Sequence, residues 1–147
     1  MRNEADDNSS IIPPVLSRWT ATLLSRAAQK MREGFEARVS DLGLRSKHYG
    51  ALVLLQNGPL TQVEISRSLW VDRTTMVALI DDLTRLELVQ RQRHPEDRRA
   101  HAVTLTPKGF EVLKLATQAV DATEAECFAP LSVHEREQLR ALLQKLL

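Results

Sequence analysis

The chain has 147 residues, 43% hydrophobic, 27% charged and only 4% aromatic, with a formal net charge of +1. That length suits one ordinary domain with a real core, and the composition excludes a wholly disordered or collagen-like chain. The near-neutral total means that a nucleic-acid partner must be argued from where charge lies, while the lone Cys127 excludes an internal disulfide and fits a reducing, cytoplasmic setting.

Residues 1–10, "MRNEADDNSS", are polar and acidic; they read as a disordered tail rather than a signal peptide. Residues 11–147 read as a single domain. "IIPP" suits a helix start, and Leu16, Trp19, Leu23, Ala27, Met31, Phe35 and Val39 recur at helical steps. They predict one long amphipathic helix closed at Gly43. A second helix is expected over Ser46–Gln56, with Tyr49, Leu52, Val53 and Leu55 apolar, before the stop "NGP". In "LTQVE", Thr61 and Glu64 form a capping box with Leu60 as a staple. This opens a short helix, Gln62–Leu69, joined through Trp70–Val71 to another that Asp72 caps.

That next helix is expected from Arg73 to about Leu86. Met76, Leu79, Ile80, Leu83 and Leu86 form its inward stripe. Thr74, Ala78, Asp81 and Arg85 face outward, flanked by Val77. "LVQRQR" and "HAVTL" alternate on either side of Pro95–Arg99, which predicts a two-stranded hairpin. Thr106 caps a further helix with Pro107 at its first position and Leu105 poised to staple Phe110; it should reach about Cys127. Ser132 and Glu135 box the start of the last helix. The fold class is therefore mainly α with a small β-hairpin wing: a winged helix-turn-helix over residues 46–106, with dimerisation helices from both termini, 11–43 and 107–147. Leu139, Leu142, Leu143 and Leu146 exceed what one winged domain can cover, so a homodimer is expected. No apolar run nears the roughly 18 residues of a membrane span, and no membrane partner is expected.

Charge gathers on the hairpin. Between Arg91 and Lys108, the basic residues Arg91, Arg93, Arg98, Arg99 and Lys108 stand against Glu96 and Asp97. A wing beside a helix in the major groove can place arginine in the adjacent minor groove, whose negative potential attracts it. Arg99, then Arg98, is the expected contact, with Asp97 holding the tip in order. The plain alternative is a solvated charged hairpin. On the helix, Val77 and Ala78 suit thymine methyls, Thr74 a base edge or phosphate, and Arg73 a phosphate. Asp81 either repels phosphate, accepts from a cytosine amine, or simply pairs with Arg85 one turn on.

The run "LTQVEISRSLWVDRTTMVALIDDLTRLELVQRQRHPEDRRAHAVTLTPKG" resembles the core of the MarR (multiple antibiotic resistance regulator) transcription factors, most specifically in "HPEDRRAHAVTLTPKG". A weaker likeness covers most of Ile11–Leu147. The resemblance implies a homodimeric winged-helix repressor of double-stranded DNA whose terminal helices interlock with the partner's. It implies that Asp97 orders the wing tip and Arg99 enters the minor groove. Thr74, Thr75, Val77 and Ala78 match recognition-helix positions. A small, often aromatic, effector is implied between the dimerisation helices and the winged region, with Trp19, His48 and Tyr49 as first candidates. Trp19 and Tyr49 equally suit plain packing on their helix stripes. Three positions depart from the family pattern: Glu87 stands where glycine is common, Ala78 where a basic residue is common, and Trp70 where the residue is often small.

Other chemistry finds little support. His48, His94, His101 and His134 show no ligand spacing, so no metal and no cofactor are expected. Cys127 has no basic residue beside it in sequence, so plain packing near the end of an apolar helix is expected rather than a redox sensor. No nucleophile elbow, phosphate loop or dinucleotide fingerprint occurs, so an enzyme is not expected. The remaining rival is a winged helix that docks protein instead of DNA.

Overall fold

The computed structural model describes residues 12–93 and 101–147. Expectations placed on the tail 1–10 and on Pro95–Arg99 lie outside those residues, as do Asp97, Arg98 and Arg99.

In chain order the elements are α1 (Pro14–Ser17), α2 (Thr20–Arg38), a 3₁₀ turn (Ser40–Leu42), α3 (Ser46–Leu55), β1 (Leu60–Thr61), α4 (Gln62–Leu69), α5 (Arg73–Arg85), β2 (Val89–Arg93), β3 (His101–Leu105), α6 (Pro107–Cys127) and α7 (Val133–Gln144). The single long first helix is a correction. Trp19 is extended (φ −98°, ψ 118°) and separates α1 from α2, while Gly43 closes the later 3₁₀ turn in the left-handed region (φ 67°). The apolar stripe runs on across the break because the residues keep their spacing, but only Phe35 and Val39 at its far end reach the core.

The expected capping boxes form. Glu64 N–H donates to Thr61 Oγ1 at 3.3 Å, and Thr61 N–H donates back to the Glu64 carboxylate at 2.7 Å. Ser132 and Glu135 repeat the arrangement at the start of α7. There the Ser132 hydroxyl, with its backbone N–H, holds the Glu135 carboxyl below its usual range. Thr106 accepts from Gly109 N–H at 2.9 Å, as the cap of α6.

The expected wing hairpin forms as β2 and β3, and β1 joins it on the other side of β3, which makes a three-stranded antiparallel sheet with β3 in the middle. Leu60 pairs with Val103 on one side of β3, and Arg91 pairs with Val103 on the other. Two residues of β1 were too few to give a period-2 pattern, and they sit directly before a helix cap. Ala102, Val103 and Leu105 of β3 are buried, whereas β2 is exposed from Gln90 onward. The wing therefore grows from the core at Val89 and projects away from it.

One hydrophobic core joins these parts: Leu52 and Leu55 of α3, Ile65 of α4, Met76, Ile80 and Leu83 of α5, Val89 and Val103 of the sheet, and Leu113 and Ala116 of α6. Each fully buried aliphatic side chain contributes roughly 1.5–3 kcal/mol. The inward stripe of α5 is thus fixed, and its opposite face is turned outward by the same periodicity. By contrast α1 and α7 bury no residue within the chain. Among the described residues no helix is long and apolar enough to cross a membrane.

Candidate nucleic-acid interface

Helix α5 begins at a well-made cap. Asp72 accepts from Thr75 N–H at 2.9 Å and from the Thr75 hydroxyl at 2.6 Å. These bonds, the hydroxyl's first, hold the Asp72 carboxyl below its usual range. They also commit the hydroxyl proton of Thr75, which leaves that side chain only acceptor lone pairs for a base amine. Thr74, Val77, Ala78 and Asp81 are exposed along the outward face, as expected, and Arg73 is exposed at the first helical position. This face combines small apolar groups with one free hydroxyl, a surface that can approach base edges closely.

The charge pattern differs from expectation at Asp81. It is bound not by Arg85 but by Arg91 of β2, at 2.6 Å, while Arg85 pairs with Asp82. Helix spacing alone favoured the neighbour one turn on; the sheet brings a better-placed guanidinium from ten residues away. Arg93 is exposed farther out on the same strand. Arg67 and Arg73 line a groove of 400 Å³ between α4 and α5, with Gln62, Val63, Ser66, Met76 and Val77. Cations therefore flank the outward face of α5 on both sides.

The turn from α5 to β2 rests on Glu87, which is left-handed (φ 62°). Its carbonyl accepts from the Thr106 hydroxyl at 2.7 Å, and Leu88 O accepts from Thr106 N–H at 3.0 Å. One residue thus caps α6 and ties down the turn that aims the wing. Close packing completes the joint: a Cβ on Gly109 would lie 2.0 Å from the Leu88 carbonyl oxygen.

A second cavity, of 630 Å³, opens behind α5. It is lined by Arg32 and Glu36 of α2, Arg45 to His48 at the start of α3, Leu69 of α4, and Thr75, Ala78, Leu79 and Asp82 of α5. Glu36 reaches across to α3, accepting from the backbone N–H of Ser46 at 3.1 Å and from its hydroxyl at 3.0 Å. The backbone N–H bond is the chief reason that its carboxyl stays below the ordinary range. His48 is buried; its Nδ1 accepts from Arg45 N–H at 3.1 Å, and its Nε2 faces an Asp82 oxygen at 3.7 Å. Burial lowers the imidazole pKa, and nearby Asp82 only partly opposes it.

Of the three ligand candidates, His48 lines this cavity and the other two do not. Tyr49 turns the other way, with its ring 5.4 Å from that of Phe35 and its hydroxyl 3.4 Å from Thr117 Oγ1. Trp19 lies exposed at the start of α2 beneath the Arg18 guanidinium, 4.8 Å from its ring. The structure therefore does not bring the three together. Arg32, Glu36 and Asp82 escaped the sequence reading because their meeting point is set by tertiary packing across three helices. Among the described residues no group of three His, Cys, Asp or Glu side chains is placed to hold a metal ion.

Comparison with known proteins agrees with this architecture. Residues 41–100 match the model of the MarR family. Over 99 residues the chain is 34% identical to a putative transcriptional regulatory protein for the hcr operon of Thauera aromatica. That match covers 67% of this chain and spans 60% of the relative's length. Among solved structures, the transcriptional repressor CouR bound to a 23-mer DNA duplex is 31% identical, with a TM-score of 0.83 over 94% of this chain and 99% of that one. CouR from Rhodococcus jostii RHA1 bound to p-coumaroyl-CoA is 27% identical, with a TM-score of 0.81 over 91% and 95% of the two chains. With a near-complete match in both length and fold at this identity, the chain belongs to the MarR family.

Proposed function

We propose that this protein is a sequence-specific DNA-binding transcriptional regulator, acting in the cytoplasm as a homodimeric repressor. The observation that carries the reading is the outward face of α5, where Thr74, Val77 and Ala78 lie exposed between the cationic groove at Arg67 and Arg73 and the wing strand bearing Arg91 and Arg93. The likeness to a repressor bound to duplex DNA supports it. In this reading α5 enters the major groove, Arg73 and Arg93 meet phosphate, and Arg99 with Arg98, ordered by Asp97, reaches the minor groove.

Dimerisation is supported by apolar surface left exposed among the described residues. Val15, Leu16, Trp19, Leu23 and Leu24 are exposed near the N-terminus, as are Val133, Leu142 and Leu146 near the C-terminus. A second copy would cover both groups and set two α5 helices about 34–36 Å apart, for a pseudopalindromic site. The cavity behind α5 is the place for an effector. Its cationic Arg32, Arg45 and Lys47 beside apolar Leu69, Ala78 and Leu79 suit an aromatic acid or its thioester, and a likeness to a p-coumaroyl-CoA complex supports that class. Occupancy would release DNA only to the extent that the ligand prefers the unbound dimer.

The test is selection of bound fragments from genomic DNA, followed by titration of one fragment at several salt concentrations. Binding should weaken with a log–log slope of about −0.9 per phosphate contact. Arg99→Ala should lower affinity without altering the dimer. No selected fragment, or a monomer at micromolar concentration, would overturn the reading.

A further inference from the structure

Trp70 joins α4 to α5 in a conformation that opposes its own side chain. It is left-handed, with φ 54° and ψ 43°, where glycine or asparagine is at ease and a bulky residue is strained. The turn is held there by two bonds to Ser66: Val71 N–H donates to the Ser66 carbonyl at 3.1 Å, and the Ser66 hydroxyl donates to the Val71 carbonyl at 2.5 Å. Packing offers no compensation, since Trp70 is 93% exposed. Neither backbone preference nor burial among the described residues accounts for a tryptophan at this position.

Its surroundings identify the occupant. Arg67 lies three residues before it and Arg73 three residues after, both on the groove between α4 and α5, with exposed Val63 and Val77. Neither arginine is ion-paired among the described residues. Two residues beyond Trp70 stands Asp72, the cap of the helix whose outward face is assigned to the major groove. An exposed indole in the turn that joins the two groove-forming helices, midway in sequence between two arginines without an ion pair among the described residues, is complementary to a nucleic-acid backbone. There apolar deoxyribose faces alternate with phosphates.

We propose that Trp70 is an additional DNA-contacting residue: its indole packs on the deoxyribose–phosphate backbone at the edge of the groove entered by α5, with Arg67 and Arg73 on the flanking phosphates. The indole N–H supplies one donor to a phosphate oxygen, and the ring excludes water from the arginine contacts. This rests on the DNA-binding reading above.

The chain has two tryptophans, so Trp19→Phe, used once it is shown to dimerise and to bind the fragment as the wild type does, leaves Trp70 as the sole reporter. Adding a fragment selected from genomic DNA should blue-shift its emission and protect it from acrylamide. Trp70→Gly should bind that fragment about tenfold more weakly, yet melt no lower than the wild type and up to about 3 °C higher, because glycine relieves the strain. Trp70→Asn, which also tolerates the left-handed region, should behave alike. Loss of affinity together with retained or raised stability cannot come from damage to the fold. Wild-type affinity in Trp70→Gly, or unchanged emission at saturating duplex, would overturn this inference alone and assign the indole to a protein partner. Failure of the wild type to bind any fragment would overturn it together with the DNA-binding reading.

Discussion

Arg91 on the first wing strand donates to the Asp81 carboxylate on α5 across 2.6 Å, locking the wing to the helix beside it. Both side chains are substantially exposed, so the pair adds little to stability, of order 0–1 kcal/mol. On the proposed reading its effect is on recognition, because an acid on the outward face would restrain an arginine that could otherwise seek any phosphate. Asp81→Asn should therefore raise affinity for random-sequence duplex and steepen the salt slope by about 0.9, one additional phosphate contact. Discrimination between selected and random fragments should fall. Fluorescence anisotropy at four salt concentrations reads all three, and an unchanged slope would show that Arg91 does not reach the backbone.

Glu87→Gly should stabilise the protein. The left-handed backbone at φ 62° costs a non-glycine residue about 1 kcal/mol, and the lost ion pair with Lys108 is exposed and weak. An increase in melting temperature of about 2–4 °C is expected. Glu87→Ala, which removes the carboxylate but keeps the Cβ, should give no such gain. Equal melting temperatures for the two variants would contradict the strain argument.

Gly109→Ala should be among the most damaging single-methyl changes in the chain. The added carbon would meet the Leu88 carbonyl oxygen at 2.0 Å, and that is backbone, not the tip of a flexible side chain. Helix α6 must then move off the turn at Leu88, at a cost of about 3 kcal/mol or more. Chemical denaturation gives the magnitude, and a loss under 1 kcal/mol would mean that the joint is loose.

Acid should weaken the fold through His48. Burial favours the neutral imidazole, so as pH falls below the ordinary value of 6.5 the unfolded chain takes up the proton first. The stability due to neutral His48 is complete above that value and is lost as pH falls through it towards the lower folded value. Protonation would also place a hydrogen on Nδ1, which now accepts from Arg45 N–H. His48→Gln keeps an acceptor at the same capping position without titrating. The denaturation midpoint of the wild type should fall between pH 7.5 and 5.5 by more than that of His48→Gln; parallel profiles would assign the pH dependence elsewhere.

Much of this architecture was readable because local signals agreed with the global fold. The caps at Thr61, Asp72, Thr106 and Ser132 each formed where the sequence placed them, since a side chain three residues from its partner needs no tertiary information. The stripe of Met76, Leu79, Ile80 and Leu83 fixed both faces of α5. What escaped was long-range. The strand at Leu60–Thr61 exists only because β3 lies alongside it, and Arg91 reached Asp81 through the sheet. The cavity required α2, α3 and α5 to converge. The break at Trp19 left the apolar spacing intact, so periodicity carried no trace of it.

Ala78 faces outward on α5 and also lines the cavity, and Thr75 and Asp82 of the same helix share that wall. A 13-residue helix is a rod about 20 Å long, with no joint along its length. Whatever fills the space behind it presses on the very element that, on the proposed reading, lies between two DNA strands. Sensing and reading would then need no relay through the molecule. On that reading they are two sides of one rod, and a molecule lodged against the first would bear directly on the second.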